Sequence, residues 1–355
     1  VLHQLNASIT GYHNENPFQP PSAGIRQAWS ATTTGTQKLH NGFIQLYFPD
    51  ADAIRAELSE GLLAQHAHTS PKYLYDALGS TLFEAICKLP EYYPTRTEAA
   101  IFDNCLSDIA RSIGRGSTLI DLGAGNCDKA ARLFSALQPV EYVPVDISVD
   151  FLRDAVTTLR QRYPHIKMTG IGMDFSLSLD LPQAVRKEKR LFFYPGSSIG
   201  NFNPDEAATF LARIREACRS DGGLLIGVDL VKDMATLDAA YDDALGVTSA
   251  FNLNLLLHLN TLLGADFDPR DWRHRAFFNQ HESRIEMHLE ACRDVEVRWP
   301  EGRRRFNEGE RIHTECSYKY TADNFLRLLE RAGFGTTRTW TDERGWFLVC
   351  HARAV

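Results

Sequence analysis

Two hydrophobic rhythms alternate through the middle of the chain. Mostly apolar runs of strand length fall at 119–122, 141–146, 166–172, 190–194 and 222–231. Around them lie stretches whose apolar residues recur three and four apart. These are 99–113, then Ala130, Ala131, Leu133, Phe134, Ala136 and Leu137, then 149–162, and 203–219 after Asn203-Pro204-Asp205. Strands of that kind alternating with amphipathic helices predict a parallel, doubly wound α/β sheet. The rhythm breaks after residue 231. Residues 232–319 hold a helical part rich in Leu, Ala and Asn, strand-like runs at 283–290 and 294–299, and a third at 311–320. That is too long for a crossover loop and reads as an inserted domain. A helix at 321–332 follows, then strands at 336–341 and 346–352 that can pair as a hairpin around 342–345.

Upstream of the alternation the pattern is weaker. Residues 1–40 are rich in Asn, Ser, Thr, Gly and Pro and read as an irregular arm. A short strand is expected at 43–48. A helix is expected at 51–65, with Ile54, Leu58, Leu62 and Leu63 on one face. Residues 70–96 are dense in tyrosine and punctuated by Pro71, Pro90 and Pro94.

The first strand runs into Gly123 and Gly125, which places backbone N–H groups beside the carboxyl end of a strand, where open α/β sheets bind ligands. The dinucleotide fingerprint wants a third glycine at 128, and that residue is Asp128. Asp146 ends the second strand 23 residues after Gly123, well placed to hold two ribose hydroxyls. An adenosine-containing ligand without a pyrophosphate fits both features, and S-adenosylmethionine is such a ligand. Asp174 and Phe175 end the third strand and suit an adenine, with a hydrogen bond for the exocyclic amine and a face for the ring. A polar loop, 195–202, ends the fourth.

Composition narrows the classes. The chain has 355 residues, 44% of them apolar, enough for a large core or two. A net charge of −7 gives no reason to expect nucleic acid or an anionic membrane surface. The basic run Arg303-Arg304-Arg305 lies among Glu301, Glu308 and Glu310 and reads as a solvated loop. Seven scattered cysteines without a Cys-x-x-Cys pair point to a reducing compartment and to no metal site. Cys127, in the glycine turn, reads as a small filler residue. No apolar run reaches membrane-spanning length and no secretory leader is expected, so the expectation is a cytoplasmic monomer acting on a small molecule.

A helix and hairpin added to one edge of a five-stranded parallel sheet outline the class I methyltransferase fold. Four further blocks carry a narrower resemblance. They are residues 75–83 with 89–96, 196–201, 228–233 with 240–248, and 284–287 with 314–317. From residue 40 onward the chain resembles the bacterial and fungal amino-acid Nα-methyltransferases typified by the L-histidine Nα-methyltransferases of ergothioneine biosynthesis. The resemblance implies a Rossmann-like doubly wound domain (97–231 plus 320–355) that binds S-adenosylmethionine. It also implies a second, α+β substrate domain built from 41–96 and the 232–319 insertion. Carried over by position, Tyr92, Gly123, Lys129, Asp146, Asp174 and Phe175 would touch the cofactor. Tyr75, Phe83, Tyr92, Gly196, Asn201 and Tyr241 would surround the amino acid, with Asn201 and Tyr241 on its carboxylate. Met287, Glu315 and Ser317 would surround the imidazole. The chain departs from common family choices at Asp121, Ala124, Asn126, Cys316 and Tyr318.

The implied chemistry is in-line methyl transfer to a neutral α-amine, trimethylating L-histidine to hercynine, so positioning supplies most of the rate. The matching blocks offer no obvious catalytic histidine or lysine; the amine is expected to lose its proton to water or through a hydrogen bond linked to Tyr75, the candidate catalytic residue. Glu315 is the expected specificity residue, because an indole or phenyl ring would leave its carboxylate unpaired. An Nα-methyltransferase for another aromatic or modified amino acid, and an NAD-dependent oxidoreductase, are the alternatives.

Overall fold

A computed structural model describes residues 42–355; the arm expected at 1–40 lies outside the described residues. The chain opens with strand β1 (Phe43–Gln45), helix α1 (Ala51–Leu63), helix α2 (Ala77–Ile86) and the long helix α3 (Tyr93–Ile113). Alternation then begins: β2 (Thr118–Leu122), two short helical turns α4 (Asp128–Ala131) and α5 (Phe134–Leu137), β3 (Glu141–Asp146), α6 (Val149–Arg162), β4 (Lys167–Met168), β5 (Gly170–Gly172), β6 (Arg190–Tyr194), α7 (Pro204–Cys218) and β7 (Gly223–Asp229).

The inserted part holds α8 (Met234–Tyr241), α9 (Val247–Leu263) and five strands, β8 (Trp272–Asn279), β9 (Arg284–Ala291), β10 (Val295–Trp299), β11 (Gly302–Phe306) and β12 (Arg311–Tyr318). Helix α10 (Ala322–Arg331) and the hairpin β13 (Phe334–Thr341) and β14 (Phe347–Ala354) follow.

The large sheet has the order β1-β5-β3-β2-β6-β7-β14-β13, with β4 pairing β3. Strands β5, β3, β2, β6 and β7 are parallel; β14 runs antiparallel to β7 and to β13. Side chains alternate across it. Ile120, Phe192 and Leu224 pack under α7 and α10 on one face, and Leu119, Phe193 and Leu225 under α3 and α6 on the other. Strands after β2 are added first on one side of it, as β3 and β5, and then on the other, as β6 and β7, so the loops after β2 and β6 meet at the switch point, where a ligand crevice belongs.

A second core joins α1, α2, α8 and α9 to the antiparallel sheet β12-β9-β8 and the hairpin β10-β11. Two buried asparagines of α9 tie this layer together. Asn254 donates to Asp76 (2.8 Å), the residue that caps α2 through the N–H of Gly79 (2.7 Å). Asn252 donates to the carbonyl of His288 (3.0 Å) and accepts the hydroxyl of Thr314 (2.8 Å). Thr314 is the extra residue of a bulge in β12: His313 faces His288 and Glu315 faces Met287. Met287 and His288 are adjacent and point to opposite faces, so the bulge turns Glu315 to the inner face while His313 stays on the outer one.

Several elements differ from the pattern-based expectation. The helix expected from Ala99 starts at Tyr93, because Pro94 lies in its first turn, where the missing N–H costs nothing. The helix expected after the glycine turn breaks into α4 and α5, and the strand expected at 166–172 breaks into β4 and β5. Strand β8, with charged residues on its exposed side, escaped the apolar pattern. The Arg303–Arg305 run is not a loop but most of β11: Arg304 turns inward and donates to the carbonyls of Leu62 and Ala64 at the end of α1, and to Glu310 (2.6 Å). Finally, β1 pairs with β5 at the edge of the large sheet, so the segment 41–96, expected to go whole with the second domain, is divided.

Candidate active site

The loop after β2 turns sharply: Gly123 has φ +70°, a conformation glycine adopts without a Cβ penalty, and its N–H donates to the Val145 carbonyl (2.9 Å). A Cβ built there would lie 3.8 Å from the Phe175 ring, so the turn passes beside Phe175. Phe175 in turn packs on Tyr194 and Phe210 (ring centroids 6.0 Å each). The Asp146 carboxylate accepts the N–H of Gly125 (2.9 Å) on one oxygen and that of Ser148 (2.9 Å) on the other. Burial raises its pKa against the lowering effect of these amides. Each oxygen keeps a lone pair for a further donor. Asp174 accepts from the amide and hydroxyl of Ser176 through a single oxygen, Oδ1. Cys127 is buried, and burial pushes its thiol up to about 12, which makes it inert filler.

Lys129, on α4, forms an ion pair with Glu98 (2.8 Å). Glu98 is almost fully buried on α3, and its other oxygen accepts the N–H of Gly196 (2.7 Å). One carboxylate thus joins the loops after β2 and β6. The amino-acid pattern carried no signal for Glu98, an acid in a helix with no charged neighbour in register; its role depends on packing against residues far along the chain.

The second cluster is aromatic. Tyr75 packs edge-on against Phe83 and Phe251 (5.5 Å each), Phe83 against Tyr92 (6.2 Å), and Tyr92 against Tyr241 (6.1 Å). Phe251, from α9, was not expected in this group. Burial holds the phenols of Tyr75 and Tyr92 well above their ordinary pKa, with Glu315 and Tyr241 adding to the effect, so both stay neutral donors. Tyr93 does not join them: it packs on Trp346 (5.1 Å) and donates to Asp229 (2.6 Å).

Strand β12 forms the adjoining wall. Glu315 and Ser317 lie two apart on its inner face, with Met287 opposite Glu315. Burial pushes the Glu315 carboxyl up to about 7, with the charge of Lys319 pulling the other way. The loop after β6 ends in a helical turn, Ser198–Asn201, that presses on this strand. A Cβ at Gly200 would come 2.8 Å from the Tyr318 carbonyl and 3.4 Å from the Ser317 hydroxyl, so only glycine permits this approach. Asn201, half-buried, ends that turn. Tyr241 donates to Ser317 (3.0 Å), and its backbone carbonyl accepts from His274 Nε2 (2.9 Å). The structure therefore brings Tyr75, Phe83, Tyr92, Tyr241, Glu315, Ser317 and Met287 into one core with its adjoining wall, and gathers Gly123, Asp146, Phe175 and Lys129 at the switch point. Among the described residues no cluster of His, Cys, Asp and Glu could hold a metal ion, and no helix is long and apolar enough to cross a membrane.

Comparison with known proteins gives three findings. The family model described as histidine-specific, S-adenosylmethionine-dependent methyltransferase matches residues 54–354. The chain is 40% identical over 304 residues to histidine N-alpha-methyltransferase of Mycolicibacterium smegmatis, covering 84% of this chain and 94% of that one; for the Mycobacterium tuberculosis protein of the same name it is 38% over 311 residues, covering 83% and 93%. It is 32% identical over 295 residues to ergothioneine biosynthesis protein 1 of Neurospora crassa, covering 79% of this chain and 33% of that protein.

Proposed function

Because the chain belongs to the histidine-specific, S-adenosylmethionine-dependent methyltransferases, we propose that it methylates the α-amino nitrogen of L-histidine three times, giving hercynine, the first step of ergothioneine biosynthesis. The observation that carries this reading is the meeting of an aromatic cage with a strand wall on which Glu315 and Ser317 stand side by side.

The switch-point residues fit the cofactor. Asp146 has a free lone pair on each oxygen for the ribose hydroxyls, Gly123 leaves space beside Phe175 for an adenine, and Asp174 retains one uncommitted oxygen for its amine. Lys129, with 40% of its side chain exposed, places a positive charge for the cofactor carboxylate, and Tyr92 heads the helix that holds Lys129 through Glu98. Bound there, S-adenosylmethionine supplies an electrophilic methyl group on sulfur.

The rest of the task falls to the protein. Asn201 and Tyr241 hold the amino-acid carboxylate, with Gly196 leaving room beside it. Glu315 accepts an imidazole N–H, Ser317 donates to the other ring nitrogen, and Met287 packs on the ring. Tyr75, Phe83 and Tyr92 surround the amine. Their faces attract its cationic form and tolerate added methyls, since an aromatic face needs no N–H partner. The neutral, buried phenol of Tyr75 orients the lone pair and passes the departing proton to water, with no strong base. Residues 97–231 with 320–355 serve the cofactor, and most of 46–96 with 232–319 the amino acid. All of these groups come from one chain, and all seven cysteines are free thiols; we take the enzyme to work as a cytoplasmic monomer.

The test is mass spectrometry of purified protein with S-adenosylmethionine and an equimolar mixture of the twenty amino acids. The expected result is histidine alone gaining up to three methyl groups. A different acceptor would reassign Glu315 and Met287; no methylated amino acid would overturn the reading.

A further inference from the structure

Directly after β12 lies Lys319, whose side chain is 1% exposed. Its backbone is clamped to Ser283 by two hydrogen bonds (2.8 and 2.9 Å). An ammonium has three protons and no lone pair. Here all three are in use: on Asp229 (2.9 Å), on the Ser317 hydroxyl (2.9 Å) and on the Tyr241 hydroxyl (3.0 Å). Asp229 is itself fully buried. It accepts from Tyr93 (2.6 Å) and from a second lysine, Lys232 (2.7 Å), whose side chain is 3% exposed. The amide of Asp229 donates to Ser197 Oγ (2.9 Å), in the loop that carries Gly196 and Asn201. A single buried network therefore runs from that loop, beneath Tyr241, to the β12 wall.

We propose that Lys319 is a positioning residue for amino-acid recognition: it fixes the hydroxyls of Tyr241 and Ser317 as donors toward the substrate and keeps a positive charge beneath Tyr241 for the α-carboxylate to meet. The inference rests on the reading above, in which Tyr241 meets the carboxylate and Ser317 the imidazole. A hydroxyl has one proton and lone pairs to accept with. Lys319 occupies an accepting position on both oxygens, so each hydroxyl presents its proton elsewhere. In the ligand-free pocket the Tyr241 proton points at Ser317; an arriving carboxylate is the stronger acceptor. Neutral imidazole offers one N–H and one bare nitrogen. Glu315 as acceptor and Ser317 as enforced donor match that pattern, and a phenyl or indole ring matches at most half of it.

Charge points the same way. Lys319 and Lys232 share the carboxylate of Asp229; the charge of Lys319 also reaches Glu315, and it is the Lys319 ammonium that touches the Tyr241 hydroxyl. Burial alone would lower the pKa of Lys319, but Asp229 and Tyr241 hold it above the ordinary lysine value, so it remains an ammonium. Burial brings Lys232 down to about 8, with Asp229 opposing.

The experiment compares L-histidine with histamine, which keeps the amine and imidazole but lacks the carboxylate. Binding of each to wild type, Lys319→Met and Lys319→Arg is measured calorimetrically with S-adenosylhomocysteine present, beside methylation of L-histidine by wild type as a control for the functional reading. Lys319→Met should weaken L-histidine on the order of 10- to 100-fold; histamine loses only part of what directs Ser317, which still accepts from Tyr241, and should weaken by no more than about threefold. KM should rise more than kcat falls, and Lys319→Arg should recover most of the loss. Equal weakening of both ligands, or unchanged histidine affinity, overturns the proposal while wild-type activity leaves the functional reading standing. Should Lys319→Met fail to fold, Lys319→Gln carries the test. Its amide can still donate but has no charge, so selective loss of histidine supports the proposal and parallel loss or no loss overturns it.

Discussion

Replacing Glu315 by glutamine keeps the side-chain volume on the pocket wall and removes a carboxyl that burial pushes up to about 7. In the unfolded chain this group titrates near its ordinary 4.5. Below that value it is neutral in both states and the two proteins differ little. As pH rises through about 7 the folded protein takes on a buried charge that the unfolded chain carries in water, so stability is lost in that window. The separation corresponds to roughly 3 kcal/mol once ionisation is complete. Ligand-free Glu315→Gln should therefore match wild type in urea unfolding at pH 4 and exceed it by up to about 3 kcal/mol at pH 8. Function changes the other way. A charge-assisted bond to the imidazole N–H becomes a neutral one, a loss of about 1 to 1.5 kcal/mol, or roughly tenfold in kcat/KM for histidine. Only the carboxylate form makes the charge-assisted bond, so wild-type kcat/KM should fall toward the variant's on the acid side of about 7, a limb the variant lacks. The imidazole of the substrate titrates identically with both. A stability gain that is the same at pH 4 and pH 8, or identical acid limbs, would refute the burial argument.

Tyr75→Phe removes the phenol over the amine and keeps the edge contacts with Phe83 and Phe251; single-turnover methyl transfer should slow about tenfold with histidine affinity nearly unchanged, and an unchanged rate would remove Tyr75 from the mechanism. Asp146→Asn puts an amide where two backbone N–H groups need acceptors; S-adenosylmethionine affinity, measured by calorimetry, should fall at least about tenfold. Asn252→Ala removes the side-chain donor to the His288 carbonyl and leaves the Thr314 hydroxyl only the Met287 carbonyl (3.1 Å). It should cost about 1–3 kcal/mol in unfolding and, by loosening the β12 bulge, raise KM for histidine; an unaffected KM would show that the bulge holds without it. His274 accepts from Asn252 (3.0 Å) and donates to the Tyr241 carbonyl, and burial lowers its pKa. Stability should accordingly be retained above the ordinary histidine range and lost as pH falls through the folded-state value, a loss absent from His274→Gln.

Much of the large sheet was legible because its information is local. Strands β3 and β6 and helix α6 fall where the apolar rhythm put them: Leu152, Val156 and Leu159 repeat at helical spacing and all turn inward. The glycine turn was legible for the same reason, since a positive φ at Gly123 is a property of one residue. Local signals failed where partners decide. The arginines of β11 read as a loop until α1 supplies carbonyls for Arg304. The prolines near Tyr92 read as punctuation until α3 places Pro94 in its first turn.

The pocket divides along the same line. Tyr75, Tyr92, Tyr241, Glu315 and Ser317 stand in short blocks whose residue types and spacing resemble a family, so the chain alone named them. Phe251, Glu98 and Lys319 stand in no such block, and Asp229, which stands in one, was given no role there. Lys319 meets Asp229 across 90 residues of chain, and Glu98 meets Gly196 across 98. No periodicity records such pairs, because a strand's pattern states which face is buried and not which charge waits there. The sequence by itself determined the alternation of elements, the turn at the switch point and the chemical character of the pocket. The tertiary structure decided which buried charges are paired, which hydroxyls Lys319 reaches, and how a single bulge at Thr314 turns Glu315 to the inner face of the strand wall. Those outcomes depend on desolvation, and a group's desolvation is set by neighbours that only the folded chain brings together.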